Sequence, residues 1–573
     1  MKLIDKHLAP NPFFAREKTY SLNGEWDFLK NESHELTKEY HQKILVPFAV
    51  ETPLSGIHED VKPTDVLHYR LRLDYPEEVI GERIRIHFYA VDQITDVYFN
   101  DAFVKHHEGG YLPFYFDVLE AKKGDTIELI VTDDTDTVIY PKGKQTRRPK
   151  EMFYRSTSGI WGDVILEILP KTGYIDDFLI EQDFDNQVVN VKKIMTSNGG
   201  IVKGDILYQD KIVAESEGEE LHFSLLNHFH PWSPSEPNLY RLELHYRDDV
   251  VSCSFGLRKF EVKKNKKFKL FYLNNKPIFL NGLLDQGYHS PESGLTIKSE
   301  SLLLKDLNYV KDSGFNFLRK HIKVESPRYY YLCDKLGIIV MQDFVSTGDP
   351  YDKFHLAVLP TIGFIKAKHK NYNSNRKSEI SQRYFENEMP LFVHHFKNYT
   401  SICLWCLFNE GWGQFDATRL TEKLHSLDMT RVIDSTSGWF DEGVGDVDSR
   451  HVYFHRPWIH NHKKRVMFLS EFGGYTYPVS NHIFAKETYG YKALTNSDEL
   501  LYWLKKSYLK WLVPLIRKRG LCGATYTQLS DVEEETNGLV TYDREVYKIP
   551  SSELRKINEI IARAFGETWE EKK

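Results

Sequence analysis

From about Phe268 onward the chain repeats one grammar, a short apolar run followed by an amphipathic stretch, and few folds can satisfy it. The runs fall at Pro277–Leu280, Phe315–Leu318, Ile338–Met341, Ile402–Phe408, Val466–Leu469 and Leu521–Tyr526. Between them, Leu303, Leu307 and Val310 share a helical face ahead of Gly314. A longer stripe, Leu500, Leu504, Tyr508, Trp511 and Leu515, follows the cap-like Asn496-x-x-Glu499. Strand alternating with helix over roughly 300 residues calls for a parallel sheet, and the length suits one closed into a (β/α)8 barrel.

The residues before it follow a different rule. Ile84, Ile86 and Phe88 alternate with Arg85 and His87, and Leu71 and Leu73 with Arg70, Arg72 and Asp74. That period of two belongs to half-buried strands. Turn residues such as Gly109-Gly110 and Gly124-Asp125 punctuate the runs, so an antiparallel jelly-roll sandwich is expected over residues 1–172. Short strands from Tyr174 to Val262, broken by Pro231-Trp232-Ser233-Pro234, suit an immunoglobulin-like sandwich over 173–264. The barrel then takes 265–573, with the basic run Lys263–Lys267 as a solvated turn between units.

Composition narrows the function. A net charge of −7 over 573 residues gives no reason to expect nucleic acid or an anionic membrane as partner. The opening Met1–His7 lacks the apolar core of a signal peptide, and no stretch approaches a membrane span. Five scattered cysteines make no disulfide framework, so a cytoplasmic location is expected. Cys403 and Cys406 form a CxxC, but the apolar run around them reads as a buried strand. Self-association is left open.

In a barrel of this kind reactive groups stand at the carboxyl ends of strands. Two glutamates occupy that position. Ile402–Phe408 runs into Asn409-Glu410-Gly411-Trp412-Gly413, and Val466–Leu469 into Ser470-Glu471-Phe472-Gly473-Gly474. Glycoside hydrolysis needs one carboxylic acid to protonate the leaving oxygen and a carboxylate across the anomeric carbon. A separation of about 5–5.5 Å gives direct attack and retention; a wider gap admits water and gives inversion.

Asn409-Glu410, with Ser470-Glu471-Phe472-Gly473 some sixty residues on, resembles the acid/base and nucleophile segments of glycoside hydrolase family 2. Leu22–Trp26 and Ser158–Trp161 resemble that family's jelly-roll sugar-binding domain, Phe255–Phe260 its immunoglobulin-like exit strand, and Phe279–Gly282 its first barrel strand. The resemblance implies Glu410 as acid/base and Glu471 as nucleophile. No cofactor or metal ligand is expected: Asn281–Tyr288 departs from the arginine- and histidine-rich segment of the large β-galactosidases, which weakens transfer of their metal site. The resemblance also implies that Asn409 bonds the substrate's 2-hydroxyl, that Arg319 keeps Glu471 ionised and that Tyr453 touches the nucleophile. Asp285, Gln286 and His289 after the first strand are expected to hold sugar hydroxyls, and Tyr526 and Gln528 after the last to line the floor, where Thr525–Gln528 departs from the family's usual tryptophan. Trp412 is expected either to stack on a leaving group or to pack its loop.

The expected partner is a β-glycoside or oligosaccharide. The glucuronidase branch holds its substrate carboxylate with an Asn-x-Lys motif, whereas here Asn537-Gly538-Leu539 carries no lysine; Arg544 is the nearest substitute. A neutral sugar is favoured, which makes the chain a β-galactosidase in expectation, with β-glucuronidase and the mannoside, xyloside or arabinoside specificities as alternatives. The segment from Phe344 to Arg383 lacks an obvious strand and is expected to close the pocket around chain ends. A non-catalytic sugar-binding protein and a metal-dependent hydrolase are the rivals. Within the expected barrel, His394-His395 and His460-Asn461-His462 are the close histidine pairs, and neither resembles a set of metal ligands at strand ends.

Overall fold

In the first segment the run Arg83–Phe88 buries its apolar face as expected, and Arg85 on the other face is buried too, paired with Asp117 and Asp176. Ile84, Ile86 and Phe88 are fully buried and stand opposite Val118, Phe116 and Phe114 in an antiparallel pair. A five-stranded sheet holding Arg83–Phe88 and Val164–Leu169 packs on a six-stranded one holding Gly24–Asn31 and Thr126–Thr132. Trp26, Phe28, Tyr69 and Leu129 fill the space between them. A three-stranded and a four-stranded antiparallel sheet follow, from Ile175 to Phe255. The computed structural model describes residues 1–5, 8–348, 376–460 and 463–570.

The basic run turns out to be half strand. Phe260–Asn265 pairs with Phe268–Leu273, and only Lys266-Lys267 form the turn. Pro277 belongs to a third short strand of this hairpin, so the first barrel strand starts later than its apolar run. The barrel strands are β1 (Leu280–Asp285), β2 (Phe317–Lys320), β3 (Ile339–Asp343), β4 (Ile402–Asn409), β5 (Val432–Ser437), β6 (Val447–Val452), β7 (Val466–Phe472) and β8 (Leu521–Tyr526). All are parallel, in the order β5-β4-β3-β2-β1-β8-β7-β6.

Strands β5 and β6 are absent from the apolar runs because they are half polar. Their side chains close the ring where a ladder does not. Ser449 Oγ donates to Asp434 Oδ1 at 2.8 Å, and Ile433 N to Asp446 Oδ2 at 2.9 Å. Buried polar groups are affordable only when paired in this way.

The helical stripe after Asn496 also differs. Asn496 Oδ1 does cap the helix, accepting from Glu499 N at 2.9 Å. A π-helical stretch, Lys506–Leu512, then rotates the chain, so Leu512 is buried in place of Trp511. Cys403 and Cys406 are free thiols inside β4, as expected of a buried strand. Among the described residues no helix is long and apolar enough to cross a membrane.

The start of β4 is anchored from two sides. Arg258, on the exit segment of the second sandwich, donates to Thr400 O at 2.9 Å and Ile402 O at 2.6 Å. Asp334 accepts from the backbone N–H groups of Thr400 and Ser401 at 3.2 and 2.5 Å. That clamp sets the register at which β4 delivers its far end to the barrel mouth.

Candidate active site

At the mouth, pairing brings Asn409 opposite Ser437 and His451 opposite Glu471. Glu410 leaves β4 with φ +53, a left-handed turn that carries its side chain over the mouth, while its N–H still donates to Ser437 O at 2.8 Å. Gly438 makes room for it. A Cβ there would stand 3.1 Å from Glu410 Cγ and 3.3 Å from His451 Nδ1.

Glu410 and Glu471 then meet around one imidazole. An oxygen of each and a nitrogen of His451 lie within 4.8 Å of one another. His451 Nδ1 is 2.6 Å from Glu410 Oε1, and its Nε2 is 3.3 Å from Arg319 Nη1 and 3.0 Å from Ser437 Oγ. Arg319 can only donate, so Nε2 accepts and the Nδ1 proton is directed at Glu410.

Glu471 is held at both oxygens. Arg319 Nη1 donates to Oε1 at 3.1 Å and the Tyr453 hydroxyl to Oε2 at 2.7 Å. Burial would raise the pKa of this carboxyl, but the neighbouring His451, His321, Arg319 and Lys144 outweigh burial and bring it to about 2. Of those groups Arg319 is permanently charged. His321 is driven well below its ordinary value by burial. Tyr453 is pushed well up by burial and by Glu471, which keeps its proton available for donation.

Arg319 is fully buried and spreads over more partners than the sequence indicates. It faces both oxygens of Asp343 from Nε at 3.1 Å and donates from Nη2 to Asn409 Oδ1 at 2.9 Å. Asp343 also meets His321 Nδ1 at 2.9 Å. His321, Asp343 and His451 are functional candidates that the sequence reading passed over. Asp343 carries the same signal as the glutamates, a carboxylate ending an apolar run. Trp439, beyond β5, is another: it stands edge-on to His451 at 5.6 Å, and its buried Nε1 has no partner.

The remaining expected residues divide. Gln286 and Gln528 are buried with both amide atoms unpaired, which leaves them open to sugar hydroxyls. Asp285 is taken up by Lys320 at 2.7 Å and by the Tyr329 hydroxyl at 2.9 Å. His289 pairs with Glu325 at 3.2 Å, and burial lowers its pKa. Tyr526 is fully buried, its hydroxyl accepting from Tyr475 N at 3.3 Å. Trp412 packs edge-on against Phe153 of the first sandwich at 5.9 Å. Of the expected pocket-closing segment, residues 349–375 lie outside the described residues, and from Glu379 it is a helix running to Phe396. His460 is described, whereas Asn461 and His462 are not.

Glu410, His451 and Glu471 are also the one His/Cys/Asp/Glu set among the described residues close enough to share a metal ion. Glu410 Oε1 already faces His451 and Glu471 Oε1 already faces Arg319. A divalent ion would have to displace both partners, so the set suits proton transfer and charge stabilisation better than metal ligation.

Comparison with known proteins adds relatives to this geometry. Residues 30–170 match the family model for glycosyl hydrolases family 2, sugar binding domain, and residues 261–468 that for glycosyl hydrolases family 2, TIM barrel domain. A β-galactosidase of Staphylococcus xylosus is 27% identical over 386 residues, covering 64% of this chain and 35% of that protein. The first five curated relatives are all β-galactosidases, and the chain spans between 35% and 54% of their length. A solved β-D-glucuronidase of Dictyoglomus thermophilum superposes with TM-score 0.73 at 20% identity, covering 94% of this chain and 97% of that one. A solved β-galacturonidase of Eisenbergiella tayi gives TM-score 0.70 at 17% identity, covering 96% and 98%.

Proposed function

The chain belongs to glycosyl hydrolase family 2, and on that premise we propose that it is a retaining exo-β-glycosidase with Glu471 as nucleophile and Glu410 as acid/base. One observation carries the reading: the two carboxylates approach within 4.8 Å across one barrel mouth. That spacing suits direct attack and falls short of the gap of about 6.5–9.5 Å that inversion uses.

In the first step Glu410 protonates the glycosidic oxygen while Glu471 attacks the anomeric carbon. The leaving group departs as an alcohol and a glycosyl ester forms on Glu471. In the second step Glu410 takes a proton from water, whose oxygen displaces Glu471 and restores the β-configuration. His451 Nδ1 meets Glu410 at Oε1, 2.6 Å away, and so holds the carboxyl in place over the mouth. Arg319 fixes the Asn409 amide through Oδ1, which orients Nδ2 as a donor toward the 2-hydroxyl. Gln286 and Gln528 bind other hydroxyls of the same sugar.

A terminal β-galactosyl group is the favoured substrate. The names of the curated relatives support it, and so does the fate of the cations beyond β8. Arg544 pairs with Asp306 at 3.2 Å, and Lys548 with Asp531 at 2.7 Å, so neither is left for a sugar carboxylate. The test is a panel of nitrophenyl β-glycosides with labelling by a 2-deoxy-2-fluoro galactoside. A galactoside preference and an adduct on Glu471 are expected. An adduct on another residue would overturn the assignment, and a preference for glucuronide would overturn the sugar.

A further inference from the structure

The first sandwich sends one segment, residues 142–154, across the mouth of the barrel. The backbone N–H groups of Lys142 and Gly143 both donate to Ser346 O beyond β3, at 3.3 and 2.9 Å. Gly143 lies against the residue that follows His321. With φ +61, an added Cβ would stand 2.7 Å from Ile322 O, so only a residue without a side chain allows this approach. Tyr154 N donates to Lys144 O at 2.9 Å, and Tyr154 packs edge-on against Tyr288, in the loop after β1, at 4.6 Å. The Tyr154 hydroxyl bonds Glu535. Lys144 is thereby pinned between the ends of β2 and β3 and the loop after β1.

Its ammonium has no ion-pair partner among the described residues, although its neighbour Lys142 reaches Asp136 at 3.7 Å. It sits 5.7 Å from the Tyr154 ring centre, on a segment that runs against Ile322, the residue after His321, whose Nδ1 stands 4.0 Å from Glu471 Oε1.

The charges around the nucleophile give this lysine a role. Two buried carboxylates, Asp343 and Glu471, share the single guanidinium of Arg319. His321 is kept neutral by burial. Tyr453 and Tyr491 face the same space and bring no positive charge, and His451 directs its Nδ1 proton at Glu410. One negative charge is left uncompensated in a cleft of low dielectric, where that is expensive.

We infer that Lys144, delivered by the first sandwich, is a positioning residue for catalysis: it is the second cation that keeps Glu471 ionised, and it makes the sandwich part of the active site. The inference rests on Glu471 being the nucleophile. It predicts that the barrel mouth works only with the segment 142–154 laid across it.

The experiment compares full-length K144Q, K144M and K144R with the wild type. The pH dependence of kcat/KM on an aryl β-glycoside is measured beside Tm and labelling of Glu471 by a 2-deoxy-2-fluoro glycoside. K144Q should move the acid limb upward by about one pH unit. Activity one unit below the wild-type limb then falls about tenfold more than activity on the plateau. K144R should restore the limb, because it restores the charge, and K144M answers the same question if K144Q folds poorly. An acid limb unmoved in both neutral variants overturns the inference. So does a loss confined to uronide substrates, which would make Lys144 a group that binds the substrate's carboxylate. A wild-type adduct elsewhere than Glu471 would sink the nucleophile assignment itself, whatever the limb does.

Discussion

Tyr453 donates its hydroxyl to Oε2 of Glu471 at 2.7 Å, on the oxygen opposite the one that Arg319 holds. The carboxylate is therefore gripped at both ends before substrate arrives, and the glycosyl ester can form only as one grip loosens. Tyr453→Phe removes the neutral partner and leaves the charged one. The expected loss is about 10²–10³ in kcat, the size seen when one preorganised donor is removed from a developing charge. The acid limb of the pH profile should move little, since Arg319 still holds Oε1. A Tyr453→Phe enzyme with wild-type kcat would show that the hydroxyl only packs.

The two glutamates should separate by leaving group. Glu471→Gln abolishes turnover of every substrate, because no ester can form. Glu410→Ala spares activated aryl glycosides far more than alkyl glycosides, since only the latter need a proton in the first step. Azide should restore part of its activity by attacking the glycosyl-enzyme without a base. Early NMR spectra of the wild-type reaction should show the β-anomer first. Two variants that behave alike on both substrate classes would overturn the assignment, and a first-formed α-anomer would mean inversion.

Arg319 links stability to pH dependence. Glu471 is held at about 2, below its ordinary value, so its ionised form stabilises the fold above the ordinary carboxylate range and that contribution fades as pH falls toward 2. Removing the guanidinium raises the nucleophile's pKa, so the acid limb of kcat/KM should move up. Arg319→Met also strands Asp343 and Glu471 without their shared cation, a loss of about 3–5 kcal/mol by analogy with other buried pairs. Arg319→Lys keeps the charge but cannot fork between Asp343, Asn409 and Glu471. It should fold better than Arg319→Met and still lose kcat. Denaturant unfolding and the pH profile measure the two effects separately.

Glu51 should run the other way. Burial raises its carboxyl from 4.5 to about 7, with Asp133 nearby adding to the rise and the Ser158 hydroxyl and N–H opposing it. The folded state binds this proton more tightly than the unfolded chain does. Its stabilising contribution is therefore full below about 4.5 and is lost as pH rises through about 7. Glu51→Gln keeps a neutral polar group of the same shape, so Tm at pH 8 should rise relative to the wild type while Tm at pH 4 changes little. A wild-type Tm that climbs steadily from pH 5 to 8, unaffected by Glu51→Gln, would refute this.

The unpaired amides of Gln286 and Gln528 should govern substrate affinity. Gln286→Leu and Gln528→Leu remove buried polar groups that make no bond within the protein, so each should keep or raise Tm. Each should also raise KM or lower kcat/KM by about 10- to 100-fold, the worth of one or two sugar hydrogen bonds. Falling Tm with unchanged kinetics would mark them as structural.

Much of this molecule was legible without coordinates. Ile402–Phe408 and Val466–Leu469 announce buried parallel strands because a strand covered on both faces reads as a short continuous apolar run, and in an alternating β/α chain a glutamate at the end of such a run stands at the barrel mouth. Period-two alternation identified the sandwiches for the same reason, since burial of one face writes itself into one chain. The strands β5 and β6 were not legible. Val432–Ser437 and Val447–Val452 are stabilised by bonds between Asp434 and Ser449 and between Ile433 and Asp446, and each half alone looks like a loop.

Tertiary structure decided the site beyond its two glutamates. Asp285 and His289 end up committed to Lys320 and Glu325, whereas Gln286 beside them keeps its amide unpaired. Arg319 has Asp343 as a partner that no spacing indicates, and Lys144 reaches the mouth from another domain. Apolar burial is a property of each segment and can be read from its order of residues. The partner of a charge is whichever opposite group the finished fold brings within about 3 Å, and only the closed barrel with the sandwich segment laid across it determines that.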